Sequence, residues 1–202
     1  CSGDGRTAAM SWTAVIPFKG TAARKTRLAD LFSTDQRRDF SQRMFDHVRD
    51  ILTACDAIHD VALLSDAPAQ GWAGAFIHDE GRGLTAELAA LATARVTQRL
   101  LIIHADLPLV RAEDIEALTR EADRATLAIA PDRGGTGTNA LALVDPAGFP
   151  FQFGVGSFAR HIDAGQGRAA IVHRAGLSHD IDTPDDYRAA CRVAPDEMKR
   201  LI

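Results

Sequence analysis

Short apolar runs recur along this chain and alternate with longer stretches whose apolar residues fall at helical spacing. That alternation constrains the fold more than any other feature. A run such as Leu100-Leu-Ile-Ile103 has no polar side to turn toward water, so it reads as a strand buried on both faces, as in the middle of a parallel sheet. Strands are expected at Thr13–Ile16, Val61–Leu64, Gly74–Ile77, Leu100–Ile103, Thr126–Ala130, Ala140–Leu143 and Ala169–His173. Helices are expected at Asp35–Ala54, Leu84–Val96, Ala112–Ala122 and Pro184–Arg192; in the first, Phe40, Met44, Phe45, Val48, Ile51 and Leu52 share one face. Strands alternating with helices define an α/β class built from parallel βαβ units, with helices on both faces of the sheet. A chain of 202 residues without repeats or linkers is enough for one domain with a full core. Residues 10–202 form that domain, and residues 1–9 are read as a disordered lead or tag remnant.

Composition removes several classes of partner. The formal net charge is -4 and the basic residues are dispersed, which excludes the basic footprint of a nucleic-acid binder or a polybasic membrane surface. No stretch has the unbroken apolar length of a membrane span, and the first residues lack the pattern of a signal peptide. Cys1, Cys55 and Cys191 are too few and too scattered for a disulfide framework or a zinc site, so a reducing cytoplasm is expected.

The acidic residues that matter sit where strands end. Asp106, in His104-Ala-Asp106-Leu-Pro108, follows the buried run, and ligands of open α/β sheets gather at the carboxyl ends of strands. Asp180-Ile-Asp182-Thr-Pro184 places two more carboxylates on one face of an extended segment. Three such oxygens suit Mg²⁺, although each motif alone also reads as a turn or a helix start. The loop after the first strand is cationic, with Lys19, Arg24, Lys25 and Arg27, and it matches neither a Walker loop nor a Rossmann fingerprint. It is a candidate phosphate cradle. Two Gly-rich turns, Asp132–Asn139 and Phe153–Phe158, are expected to present free backbone N–H groups to an anion, the second at a helix capped by Ser157. Glu80-Gly81-Arg82-Gly83 makes a third turn, where a nucleobase has room against the backbone.

In this order the segments resemble the 2-phospho-L-lactate guanylyltransferase family of coenzyme F-420 biosynthesis. The residues carrying the resemblance are Ile16-Pro17-x-Lys19 with Lys25-Thr-Arg27-Leu28, Asp106-Leu-Pro-Leu, Gly137-Thr138-Asn139-Ala-Leu, Phe153-Gly154-x-Gly-Ser157-Phe with His161, and Asp180-Ile-Asp182-Thr-Pro-Asp185. The resemblance covers nearly the whole chain after Met10. It implies a three-layer αβα, nucleotide-diphospho-sugar-transferase-like fold, Rossmann-like and related to the molybdopterin guanylyltransferases, with a mixed, mostly parallel sheet. It implies Mg²⁺-dependent transfer of GMP from GTP to a small phosphorylated carboxylic acid, either 2-phospho-L-lactate, phosphoenolpyruvate or 3-phospho-D-glycerate, with release of pyrophosphate. By position, Asp106, Asp180 and Asp182 would hold the metal, and Thr138, Gly154 and Ser157 would bind the acceptor acid. Lys19, Lys25 and Arg27 would meet the triphosphate, with Ser65 and Gly83 near the guanine or ribose. Lys19, Lys25 and Asp106 would then carry the catalysis.

A phosphate monoester is anionic near neutral pH, so this chemistry needs no proton abstraction by His104, His161 or His173. Two other readings stay open: a nucleotidyltransferase acting on a molybdopterin or a sugar phosphate, and a non-catalytic nucleotide-binding protein. The choice of acceptor and the oligomeric state, monomer or homodimer, are not decided by the residues.

Overall fold

The computed structural model describes residues 11–19, 25–94 and 99–202. The strands are β1 (Trp12–Pro17), β2 (Ile58–Ser65), β3 (Ala75–His78), β4 (Leu100–Ile103), β5 (Leu127–Pro131), β6 (Thr138–Leu143) and β7 (Ala169–Ile171). The helices are α1 (Thr34–Ala54), α2 (Leu84–Ala94), α3 (Ala112–Ala125), α4 (Ser157–Ala164), α5 (Ala175–Ser178), α6 (Pro184–Val193) and α7 (Pro195–Arg200), with a 3-10 turn at Thr26–Leu28. The strands form one sheet in the order β3-β2-β1-β4-β6-β5-β7. β6 runs antiparallel to β4 and β5, and the other neighbours are parallel.

This is the α/β fold with a mixed, mostly parallel sheet. Every residue of β4, β5 and β6 is buried, which is why those runs have no polar face. Alanines at Ala128, Ala130, Ala140 and Ala142 pair across β5 and β6 and leave room for α3 to pack closely. One face carries Phe45, Val48 and Leu52 of α1 with Ile115 and Leu118 of α3. The opposite face carries Leu88 and Leu91 of α2, with Phe158 and Ile162 of α4 packed against them. A third cluster joins Leu28, Phe40 and Met44 to Ile181, Ala190 and Met198, so the 3-10 turn, the 180–182 segment, α6 and α7 are packed together against α1.

Local chemistry explains the helix starts. Ser33 caps α1 in a reciprocal box with Gln36, and Thr183 caps α6 in the same way with Asp186, with Pro184 in the first turn. Three expectations change. Ser157 is not the cap of α4: Gly156 is, at φ 74°, a left-handed backbone suited to a residue without Cβ. β7 stops at Ile171, because its pairing with β5 is only three residues long and His173 is already exposed. The short helices α5 and α7 and the 3-10 turn are additions, each too brief to show a periodic signature. The expected lead at residues 1–9, and Arg24 of the cationic loop, lie outside the described residues.

Strand order fixes where a ligand goes. The chain steps from β1 outward to β2 and β3, then returns to place β4 on the other side of β1. The carboxyl ends of β1 and β4 therefore diverge at a topological switch point, the usual crevice of an open α/β sheet.

Candidate active site

A cleft of about 360 Å³ opens at that switch point. Its walls come from both diverging strands and from α1: Pro17 and Phe18 after β1, His104, Ala105 and Asp106 after β4, with Ser41 and Met44 opposite and Lys25 and Asp182 at one end. Phe18 is fixed by stacking on Phe45 at 4.5 Å, which ties the end of β1 to α1.

Three sequence-distant segments meet in this cleft through one ammonium. Lys25 Nζ donates to Asp106 Oδ2 at 2.6 Å and to Asp182 Oδ1 at 2.6 Å. The lysine side chain is only 8% exposed, and its backbone is left-handed at φ 57°, at the start of the 3-10 turn. Burial alone would pull the ammonium's pKa down, but Asp106 and Asp182 outweigh it and hold it raised. Burial opposes ionisation of Asp106 too, and Lys25 and then His104 overcome it, so its pKa is lowered. Only one Asp106 oxygen is used in this way; Oδ1 is buried and has no hydrogen-bond partner among the described residues.

Asp182 and Asp180 flank Ile181, whose side chain is fully buried and whose N–H donates to Asp106 O at 3.1 Å. That bond sets the 180–182 segment beside the Asp106 turn. Asp180 accepts from Asn139 Nδ2 at 2.9 Å, and the same amide donates to Leu177 O at 3.0 Å. Burial pushes the Asp180 carboxyl up to about 6; Asn139 opposes that shift, and the charges of Asp106 and Asp182 add to it. The three carboxylates expected to work together thus feel one another. Among the described residues, however, no three His, Cys, Asp or Glu side chains are already spaced as a metal cage. The Lys25 ammonium lies between two of the carboxylates instead.

The other expected site residues fall into two further groups. Lys19 does not join Lys25: it pairs with Asp79 at 2.9 Å, across the ends of β1 and β3. Lys19 accordingly lowers the pKa of Asp79. Asp79 also accepts from Gly81 N, and its own N–H donates to Ser65 O, so Lys19, Ser65 and the turn before Gly83 are gathered around one buried carboxylate. Ser65 is fully buried and its hydroxyl donates to Asp66. Gly83 has φ 91°, as a turn leading straight into α2 requires. Arg27 is exposed on the 3-10 turn and is not part of the cleft wall.

Thr138, Gly154 and Ser157 form the last group. Thr138 Oγ1 lies 2.9 Å from His161 Nδ1, and Ser157 N–H donates to Gly154 O at 3.0 Å. The expectation that both Gly-rich turns offer free backbone donors changes at particular residues. In the first turn the Asp132 carboxylate accepts from Thr136 N and Gly137 N, and Asp132 O accepts from Gly135 N. In the second, Ser157 N–H is used by Gly154 and Phe158 N–H donates to Thr136 O. Those N–H groups are thus used within the turns or between them. Thr138 is itself buried, and its hydroxyl meets His161.

Sequence reasoning gave neither Asn139 nor Asp79 a role. Thr85, at the start of α2, accepts from Phe153 N at 3.1 Å and ties that helix to the second Gly-rich turn. A Thr-Asn pair opening an otherwise apolar strand was the available signal for Asn139, and an acid closing β3 before a glycine was the signal for Asp79.

With the geometry in place, comparison with known proteins is informative. The profile of the family described as guanylyl transferase CofC like matches residues 12–190. A phosphoenolpyruvate guanylyltransferase of Sphaerobacter thermophilus is 36% identical over 198 residues, covering 92% of this chain and 95% of that protein. A 2-phospho-L-lactate guanylyltransferase of Haloarcula marismortui is 36% identical over 177 residues, covering 85% and 81%. Among solved structures, a nucleotidyl transferase from Methanothermobacter thermautotroptrophicus superposes with a TM-score of 0.63 at 15% identity, over 94% of this chain and 99% of that one. A 4-diphosphocytidyl-2C-methyl-D-erythritol synthase from Anaerococcus prevotii does so with 0.61 at 11%, over 92% and 96%. At such identities the structures speak for the fold alone, whereas the profile and the closely covered relatives reach further: this chain belongs to the guanylyl transferase CofC-like family of nucleotidyltransferase enzymes.

Proposed function

We propose that the enzyme transfers GMP from GTP to a small acid bearing both a phosphate and a carboxylate, in Mg²⁺-dependent fashion, as a step of coenzyme F-420 biosynthesis. The observation that carries the reading is the convergence of Lys25, Asp106 and Asp182 on the switch-point cleft, with Asp180 close enough to feel both carboxylates. The relatives are named for acceptors of this class, phosphoenolpyruvate and 2-phospho-L-lactate; 3-phospho-D-glycerate has the same pair of anionic groups and belongs to the same proposal.

In this reading an acceptor phosphate oxygen attacks the α-phosphorus of GTP. The new P–O bond forms as the bond to the bridging oxygen breaks, and pyrophosphate leaves with that electron pair. The attacking oxygen is already ionised near neutral pH, so no side chain has to take its proton. His161 is unfit for that task in any case, being buried with both ring nitrogens engaged.

The residues fit a hard divalent cation. Asp106 Oδ1 is a buried oxygen lacking a partner among the described residues, Asp180 and Asp182 add two carboxylates, and an all-oxygen donor set suits Mg²⁺. Asp106, Asp180 and Asp182 would hold it, and when bound it would neutralise charge that builds on the phosphate oxygens during transfer. Lys25 supplies a buried point charge for the triphosphate once its hold on the carboxylates is released. Lys19, nearly half exposed, presents a second cation at the base of the β1 loop. Thr138, with Gly154 and Ser157, serves the acceptor carboxylate, and Ser65 and Gly83 border the nucleoside.

The test is a matrix of GTP, ATP, CTP and UTP against phosphoenolpyruvate, 2-phospho-L-lactate and 3-phospho-D-glycerate, read as pyrophosphate release. The proposal expects acceptor-dependent release with GTP and Mg²⁺. Release with none of these acids, or with a sugar phosphate or a pterin in their place, refutes it.

A further inference from the structure

One buried side chain holds both Gly-rich turns. His161, on α4, has no solvent exposure. Gln152 N–H donates to its Nε2 at 3.1 Å, and a ring nitrogen that accepts carries no proton. The neutral imidazole therefore keeps its proton on Nδ1, which lies 2.9 Å from Thr138 Oγ1 and donates to it. The Thr138 hydroxyl receives on that side, so its own hydrogen is turned away from His161. Burial, with Arg160 adding to it, pushes the imidazole down to about 4, so the tautomer persists through neutral pH.

The same side chain orders the loop leading to Gly154. Besides the bond to His161, Gln152 O accepts from Arg160 Nη2 at 3.1 Å, and Phe153 N–H donates to Thr85 Oγ1 at 3.1 Å. The Phe153 ring stands edge-on to His161 at 4.8 Å, and it also lies 5.8 Å from the ring of His104, in the wall of the cleft. Polar and aromatic contacts of His161 thus run from the first Gly-rich turn, through the loop, to the cleft.

We propose that His161 is a positioning residue for the acceptor acid: its fixed Nδ1–H tautomer aims the Thr138 hydroxyl hydrogen at the acid's anionic group and sets the 152–154 loop beside it. This rests on the reading that Thr138 belongs to the acceptor site.

The experiment measures KM for phosphoenolpyruvate and for GTP, with thermal melts, in His161→Phe, His161→Asn, His161→Gln and Thr138→Val. His161→Phe keeps the aromatic packing and loses both hydrogen bonds; the phosphoenolpyruvate KM should rise about tenfold, the scale of one hydrogen bond, with the GTP KM unchanged. His161→Asn places an amide donor near the position of Nδ1 and should recover most of that loss, whereas His161→Gln, which reaches toward Gln152, should not. A merely structural role predicts instead that both KM values move together with the melting temperature and that Asn and Gln behave alike. That outcome, or an unchanged phosphoenolpyruvate KM in His161→Phe, overturns the inference. If His161→Phe does not fold, the comparison of Asn with Gln decides alone. An unchanged phosphoenolpyruvate KM in Thr138→Val sinks the acceptor-site reading and this inference with it. A raised KM there, with no order among the His161 variants, sinks only the positioning role.

Discussion

Replacing Lys25 with Met tests how the site is held together before any substrate arrives. Met keeps most of the side-chain length and removes the charge, so Asp106 and Asp182 lose their shared ammonium, at 2.6 Å from each. The two carboxylates do not suffer equally. Asp182 is 52% exposed and returns to water, where a surface pair is worth about 0–1 kcal/mol. Asp106 is mostly buried, with Oδ1 already lacking a partner, and stranding one charge of a buried pair costs about 3–5 kcal/mol. Its residual exposure of 23% moderates that figure, so a loss of about 2–3 kcal/mol is expected. For a domain of this size that is a fall in Tm of roughly 4–12 °C. Melting in EDTA, followed by circular dichroism, measures it directly. Mg²⁺ should then rescue the variant more than the wild type, because three carboxylates without a lysine among them attract a cation more strongly; saturation at about 100 times Kd returns about 2.7 kcal/mol. A Lys25→Met protein that melts with the wild type, and is indifferent to Mg²⁺, would show that the ammonium is not what organises these acids.

Two further outcomes are expected. Asp180 has a carboxyl raised to about 6 in the folded protein against an ordinary 3.8, so its contribution to stability is fully present below 3.8 and is lost as pH rises through about 6. Asp180→Asn should remove that slope, melting higher than wild type at pH 8 but not at pH 4, while Mn²⁺ affinity measured by paramagnetic resonance should weaken in the variant; parallel pH profiles would contradict the assignment. Gly154 has φ 108°, where an L side chain is strained, although a Cβ there would meet no atom within 4 Å. Gly154→Ala should therefore cost about 1–2 kcal/mol by backbone strain and raise the KM of the acceptor but not of GTP, and equal changes in both KM values would move this turn out of the acceptor site.

The apolar pattern made most of this fold legible. Leu100–Ile103 forms as expected to the residue, and α1 begins one residue before its expected start because Ser33 caps it. The direction of β6 was not written in its residues, since a strand buried on both faces reads alike whether parallel or antiparallel. Asp106 was readable as a strand-end acid and Asp180 and Asp182 as a pair on an extended segment, and the structure brings the two segments together through Ile181 N–H and Lys25. What the residues could not show was occupancy. Gly135, Thr136 and Gly137 look like open donors in sequence, but Asp132, a few positions earlier, closes the turn on them. Lys19 and Lys25 look alike in one cationic loop, yet Asp79 claims one and Asp106 the other. Such partnerships depend on segments far apart in the chain, which no local spacing reports.

The central claim is that guanylyl transfer takes place in the switch-point cleft, on the carboxylates that Lys25 joins. Its most direct test is ³¹P NMR of GTP with phosphoenolpyruvate and Mg²⁺ in the presence of the wild-type protein and of Asp106→Asn, which removes one carboxylate charge at nearly constant volume. The account predicts a new phosphoanhydride signal and an equal amount of pyrophosphate with the wild type, and neither at a measurable rate with a folded Asp106→Asn. Turnover by Asp106→Asn within about tenfold of wild type, a barrier change of only about 1.4 kcal/mol, would contradict it.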